Sequence, residues 1–310
     1  MEPSYISSHK DGILKRRIKQ ALAALDSCTL CPRCCKVDRN SGVTGVCKTG
    51  RNAIVASHAP HFGEEAPLTG RHGSGTIFFS NCNLNCIFCQ NFDISHEGEG
   101  NAVTASQLAH MMLELQEQRA HNINLVSPSH IVPQILEALP EAIEGGLNIP
   151  LVYNTGGYDS IATLKLLEGI VDIYMPDIKF SSDIQALFYC KAPDYPQIAR
   201  EAVKEMHRQV GDLQLNSRGH AVRGLLVRHL VMPDGLAGTE QVMRFLADEI
   251  SPDTYVNIMD QYRPCGDIKQ FKELQRSITP EEFEEAMNAA REAGLKHFDS
   301  RERPILMYWR

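Results

Sequence analysis

The chain has 310 residues, 43% of them hydrophobic and 22% charged, which excludes a disordered chain and a collagen-like repeat and suits one large domain or one domain with an appendage. With 31 Lys+Arg against 38 Asp+Glu the net charge is −7. That mildly acidic balance lacks the basic footprint of general nucleic-acid binding, so no nucleic-acid partner is expected.

No run approaches the roughly 18 consecutive apolar residues of a membrane helix, and no secretory h-region opens the chain. A cytoplasmic protein without a membrane segment is expected. Residues 12–26 predict a helix with Leu14, Ile18, Leu22 and Leu25 on one face and Lys15, Arg16, Arg17 and Lys19 on a solvated one. A cysteine-rich stretch, 28–47, follows, then a Gly/Pro/His-rich passage to about Ser74.

Beyond it, β-rich runs at 76–80, 124–127, 151–154, 171–175, 225–231 and 255–259 alternate with helical patterns. Thr104 with Gln107 makes a capping box ahead of Leu108, Met111, Met112 and Leu115. Thr279, Pro280 and Glu282 open another helix before Phe283, Ala286, Met287 and Ala290, and the methionines read as core filler. Such alternation implies a parallel sheet: a partial or complete α/β barrel, or a doubly wound sheet. Either way ligands gather at the C-terminal ends of the strands. The expected organisation is a helix and Cys-rich metal-binding extension over 1–70, a barrel over 71–300 and a tail over 301–310.

Of the 10 cysteines, those from Cys28 to Cys89 fall into two tight clusters, which in a chain without a signal peptide read as metal ligands rather than a disulfide framework. After the first predicted strand, Cys82, Cys86 and Cys89 give the spacing C-x3-C-x2-C. Three thiolates hold three irons of a 4Fe–4S cube; a full protein site takes four, so one iron stays open to an exogenous ligand. The alternative is a zinc site completed by His72 or His96. Upstream, Cys28, Cys31 and Cys47 with either Cys34 or Cys35 form a second candidate set: zinc, iron–sulfur or unmetallated thiols. Cys190 reads as a packed thiol, and Cys265 lies beside a strand end.

The C-x3-C-x2-C motif, with Phe88 just before its last cysteine, resembles the signature of the radical S-adenosylmethionine (radical SAM) enzymes. Cys89-Gln90-Asn91 with Ile94-Ser95, Ser127-Pro128-Ser129-His130, Tyr153-Asn154-Thr155-Gly156-Gly157-Tyr158, Pro176-Asp177-Ile178-Lys179, Val227-Arg228-His229-Leu230 and Gln261-Tyr262-Arg263-Pro264 are similar to the subgroup homologous to pyruvate formate-lyase activating enzyme. The resemblance implies a partial (β/α)6 TIM-like barrel. It implies a 4Fe–4S cluster on Cys82, Cys86 and Cys89, with S-adenosylmethionine chelating the open iron. Reductive cleavage of that ligand to a 5′-deoxyadenosyl radical, and hydrogen abstraction from a glycine of a partner enzyme, a peptide or a small molecule, would follow. A low-potential electron donor such as flavodoxin or ferredoxin is the implied partner.

On that reading Phe88 lies against the adenine, and Asp177 and Lys179, as the Asp-x-Lys of activating enzymes, contact S-adenosylmethionine. Asn154 and Thr155 end the third strand at the ligand, and Arg228 is a carboxylate clamp, with His229 a packed neighbour on the opposite face. Ser127 and Ser129 stand where many relatives carry Gly-Gly-Glu for the methionine amine, a departure that leaves capping by Ser129 as the alternative. Gln261 and Tyr262 are expected at the substrate opening. The subgroup's C-x2-C-P-R-x2-C pattern selects Cys28, Cys31, Cys35 and Cys47 as the second metal set and leaves Cys34 over. The competing function from another class is a non-catalytic iron–sulfur electron-transfer or metal-binding protein.

Overall fold

The computed structural model describes residues 2–299; the expected 301–310 tail lies outside the described residues. In chain order the strands are β1 (Ala53–His61), β2 (Ser74–Phe79), β3 (Asn101–Val103), β4 (Ile123–Val126), β5 (Leu151–Thr155), β6 (Ile173–Pro176), β7 (Gln214–Leu215), β8 (Ala221–Leu230), β9 (Tyr255–Met259) and β10 (His297–Phe298). The helices are α1 (Ser4–Lys10), α2 (Ile13–Ala23), α3 (Ala66–Thr69), α4 (Ala105–Glu117), α5 (Val132–Glu144), α6 (Ile161–Leu167), α7 (Asp183–Cys190), α8 (Tyr195–Val210), α9 (Thr239–Phe245) and α10 (Pro280–Glu292). No helix among the described residues is long and apolar enough to cross a membrane.

The sheet order is β10-β9-β8-β6-β5-β4-β2-β1-β3, with β7 paired to β8. From β2 to β9 every neighbouring pair is parallel. β10 adds in parallel at one edge, and β1 and β3 add antiparallel at the other. The path does not close on itself. Yet residues at or just past the ends of β2, β4, β5, β6, β8 and β9 line one cavity. In a flat sheet the outer two of six strands would stand about 24 Å apart, so the sheet curls into a partial barrel.

Alternation along the strands separates an inner core from an outer one. Val152, Ile173, Met175 and Leu226 pack with Leu68 of α3 inside the barrel, below the cavity. Tyr153, Tyr174, Leu225 and Val227 join the outer core beneath the helices. Both expected capping boxes form, Thr104 with Gln107 on α4 and Thr279 with Glu282 on α10. Met112 is fully buried, and Met111 and Met287 pack at the edge of the same core.

Three expectations are corrected. The 50–74 passage holds β1, antiparallel to β2; past adjacent Ile54 and Val55 it runs through Ala, Ser, His and Pro, which give no hydrophobic alternation to read. Pro60 is tolerated there because β3 pairs only with Ala53–Val55, leaving the far end of β1 an open edge. The first helix ends at Ala23, and Leu25 and part-buried Leu22 turn instead to a small cluster with Cys28 and Leu30. The fourth predicted strand starts at Ile173, although Asp172 N–H still donates to Leu151 O at 3.2 Å and Gly224 N–H to Asp172 O at 2.9 Å; the Asp172 carboxylate accepts the backbone N–H of Ser4 at 2.8 Å and of Leu151 at 3.0 Å. That residue fastens α1 to the sheet.

Candidate functional site

β2 delivers the chain to a loop that turns through Asn81, whose φ of 68° lies in the left-handed region that Asn tolerates. Beyond it Cys82, Cys86 and Cys89 all line the cavity, of about 260 Å³, at the strand C-termini. The end of α7 holds this loop: Ile87 N–H donates to Tyr189 O at 2.9 Å, and Cys86 Sγ lies 3.2 Å from Cys190 Sγ. Leu84 N–H donates to Cys82 Sγ at 3.4 Å and the Ser95 hydroxyl to Cys89 Sγ at 3.1 Å. Burial pushes the Cys82 thiol up to about 12 and raises Cys89. Cys86 is raised first by its contact with Cys190 and then by burial. None of the three is at ease as a bare thiolate: without a metal to take the charge each stays protonated.

Opposite the thiols lies a layer of charge. Asp177, just past β6, accepts from Lys179 Nζ at 2.6 Å and from Arg228 Nε of β8 at 2.7 Å. Arg228 Nη2 also donates to Asn154 Oδ1 at 2.7 Å, and its Nη1 lies 3.9 Å from Glu64. Burial alone pushes the Asp177 carboxyl up, but the Arg228 guanidinium and then the Lys179 ammonium outweigh it and hold the group below the usual range. For Lys179 the penalty of burial is outweighed by Asp177, which keeps the amine charged. Within the cavity lining Lys179 and Arg228 stand against Asp177, while Glu64 and Glu65 act on Arg228 from behind.

The cavity also takes Phe88, Ser127, Asn154, Thr155 and Gln261, as expected from the sequence. Phe88 sits edge-on to Phe180 with ring centroids 5.7 Å apart. Ser127 holds a left-handed φ of 60°, a costly conformation for Ser. Ser129 stands behind the wall instead: it is buried, and its hydroxyl lies 2.9 Å from Thr155 Oγ1. It does not cap α5 either, where Ile131 is the N-cap without a side-chain bond. Tyr262 is not at the opening; it is buried beside Phe88 and donates to Leu274 O at 2.7 Å. His229 packs away from the cavity, its Nδ1 2.7 Å from Ile178 O. Gly157, at φ 79°, must be glycine, because a Cβ there would lie 2.4 Å from Asp177 O. Cys190 is the packed thiol expected, and Cys265 faces the cluster loop, with its Sγ 3.3 Å from Phe88 O.

Of the two histidines considered for a zinc site, His96 lines this cavity, stacked on Phe92. His72 does not; it lies next to His121 just ahead of β2 and β4, at the opposite ends of the strands. Other lining residues, Phe78, Val126 and Met259 among them, were given no site role in the sequence. They are apolar and carry no chemical signal. Tyr195 was missed for another reason. Its hydroxyl donates to Gly156 O and Asp177 O at 2.9 and 3.0 Å and accepts from Lys179 N–H at 2.9 Å; only the fold brings α8 to these strand ends.

The segment 28–47 docks against the same loop. Arg33 donates to Asn83 O at 2.9 Å and to Lys191 O at 2.6 Å, with its guanidinium over the Tyr158 ring. Cys28, Cys31 and Cys47 are buried, Cys35 is half-buried and Cys34 exposed; Val46 N–H donates to Cys35 Sγ at 3.4 Å. Among the described residues no group of three or more His, Cys, Asp or Glu side chains is already arranged to hold a metal ion.

No family model matches the chain. It is 29% identical over 293 residues to an uncharacterized protein of Methanocaldococcus jannaschii, a match covering 92% of this chain and 80% of that one. A solved radical SAM methyltransferase from Sphaerobacter thermophilus aligns with a TM-score of 0.49 at 15% identity, over 72% of this chain and 65% of its own. Native anSMEcpe with bound AdoMet aligns with a TM-score of 0.48 at 10% identity, over 71% and 61%. The chain therefore spans less than two thirds of either solved neighbour.

Proposed function

We propose that this chain is a radical S-adenosylmethionine enzyme. The observation that supports it is one cavity lined both by the three thiols of C-x3-C-x2-C and by Asp177, Lys179 and Arg228. The donor set fits a 4Fe–4S cluster with an open iron. Cys82, Cys86 and Cys89 face the cavity, no other cysteine among the described residues lines it, and burial disfavours each free thiolate. With one electron from a donor, such a cluster would supply the reducing equivalent that breaks the C–S bond of bound S-adenosylmethionine, leaving methionine and a 5′-deoxyadenosyl radical for hydrogen abstraction.

The chain's own groups would bind and orient that ligand. Lys179 and Arg228 offer donors to its carboxylate, with Asp177 holding both in place and accepting from its ammonium. Phe88 offers a π face to the adenine, and Ser127, Asn154 and Thr155 offer oxygens along the same rim. An electron-transfer protein closes its cluster with four protein ligands; three thiols beside a charged cavity favour the catalyst. Within the class, an activating-enzyme-like role follows from the sequence segments. The target would be a glycine of a partner enzyme, a peptide or a small molecule, with flavodoxin or ferredoxin as donor and the cytoplasm as the setting.

The test is anaerobic incubation of reconstituted, reduced protein with S-adenosylmethionine. 5′-Deoxyadenosine should form with the parent and be absent with Cys86→Ala. A parent that carries the cluster but yields none, or a Cys86→Ala variant that still yields it, overturns the reading.

A further inference from the structure

Beside the Cys82 loop the segment 28–47 encloses a second cavity, of about 10 Å³, lined by its cysteines together with Arg39, Gly45 and His130. Such a volume admits one atom-sized guest. His130, which no cysteine motif would include, reaches this cavity from the barrel, just past β4. It is 1% exposed. Its Nε2 lies 3.1 Å from Ser80 O, so that nitrogen carries the proton and donates. Nδ1 is left as a bare lone pair, buried and without a hydrogen-bond partner among the described residues. Ligating histidines hold their second nitrogen on a carbonyl in this manner.

Arg39 is buried as well, 1% exposed. Its guanidinium donates to Gly50 O at 3.0 and 2.8 Å and to His130 O at 2.7 Å, and lies 3.9 Å from Cys28 Sγ. Among the described residues no carboxylate pairs with it, and a buried cation needs a counter-charge. Gly45 completes the enclosure: a Cβ there would stand 2.6 Å from Cys35 Sγ.

We infer that Cys28, Cys31, Cys47 and Nδ1 of His130 form a structural site for a single thiophilic divalent cation of the zinc class, with Arg39 as its counter-charge. These are the four buried donors of the cavity; Cys35 is half-buried and Cys34 exposed. The charge count favours the histidine over a fourth cysteine. Three thiolates, a neutral imidazole and a divalent ion carry one net negative charge, which the single guanidinium matches; a fourth thiolate would leave one in excess. The Cys28-x2-Cys31 spacing is that of a zinc half-site. The donors do not converge on one point as placed, so the site requires the cysteine side chains to turn toward one another about χ1. The ion would clamp the N-terminal segment to the strand end that also presents Ser127 to the larger cavity. This inference stands apart from the radical-enzyme reading.

The test uses the full chain carrying Cys82→Ala, Cys86→Ala and Cys89→Ala, so that the thiols of the larger cavity contribute nothing. Elemental analysis should find about one zinc per chain. Adding His130→Ala or Cys47→Ser should remove it, whereas Cys34→Ser and Cys35→Ser should keep it. Cobalt(II) titration of the same background, which needs no site variant, should give the intense visible bands of a tetrahedral thiolate site. Adding His130→Ala should shift those bands. Iron in place of zinc at these cysteines, or no metal with featureless cobalt spectra, overturns the proposal. So does full zinc in the His130→Ala chain with loss in the Cys35→Ser chain, which would mean four thiolates.

Discussion

Replacing Asp177 by Ala tests the charged layer most directly. The carboxylate holds Lys179 at 2.6 Å and Arg228 at 2.7 Å, and the three side chains are 14%, 20% and 18% exposed respectively. A pair of unit charges about 4 Å apart at an effective dielectric near 20 is worth about 4 kcal/mol before the cost of burial. Removing the shared anion leaves two cations facing each other, with Asn154 and the more distant Glu64 as the remaining partners of Arg228. Breaking a buried pair costs about 3–5 kcal/mol, and the residual exposure argues for the lower end. At about 2–4 °C per kcal/mol for a large domain, the melting temperature should fall by about 6–12 °C. S-adenosylmethionine affinity should fall by at least about tenfold, because both donors lose their anchor. The assays are anaerobic thermal denaturation and calorimetry, with the cluster absorbance retained as a control. Adding Lys179→Met should recover melting temperature but not affinity. An Asp177→Ala variant that melts and binds like the parent would refute the whole account of this layer.

Other outcomes follow from the same geometry. Because the folded Asp177 carboxyl is held below its unfolded value, its stabilisation is present above about pH 4 and is lost as pH falls through the folded value. The melting gap between parent and Asp177→Ala should thus stay level from pH 7 to about 5 and shrink below about 4. Asp172→Ala strips the acceptor from two backbone N–H groups and should cost about 2–4 kcal/mol in denaturant titration with ligand affinity unchanged. Gly157→Ala drives a Cβ to 2.4 Å from Asp177 O at a φ of 79°. It should cost more than about 1 kcal/mol and weaken ligand binding as well. Arg33→Ala frees the cluster loop at Asn83 and should speed loss of cluster absorbance to a chelator by about tenfold, the equivalent of one lost charge-assisted hydrogen bond.

The barrel was legible because its parallel strands are buried on both faces and so read as apolar runs. Every run from 76–80 to 255–259 overlaps a strand of the sheet. Strand ends then pointed to the cavity, and together with the Asp-x-Lys of the family resemblance and the fit of a guanidinium to a carboxylate this is why Asn154, Thr155, Asp177, Lys179 and Arg228 could be named. What escaped was anything whose partner is set by tertiary contact. β1 pairs through backbone, and past Ile54 and Val55 its side chains are small or polar. Ser129 and Tyr262 sit one or two positions from lining residues, yet packing turns both away. Tyr195 reaches the strand ends from a helix whose sequence says only that it is amphipathic.

The same limit explains why the two cysteine clusters read as separate modules. Along the chain they are divided by the passage that became β1. In space Asn83, between Cys82 and Leu84, hydrogen-bonds Cys31 and donates to Tyr158 O at 2.6 Å. Arg33, between Cys31 and Cys35, is spent on Asn83 and Lys191. His130 belongs by sequence to the β4 end and by position to the second cavity. Each of these residues has its main chain in one unit and its side chain in the other, so the position of the Cys82 loop depends on the N-terminal segment being folded against it. The loss of that segment would therefore reach the three cavity thiols through their loop.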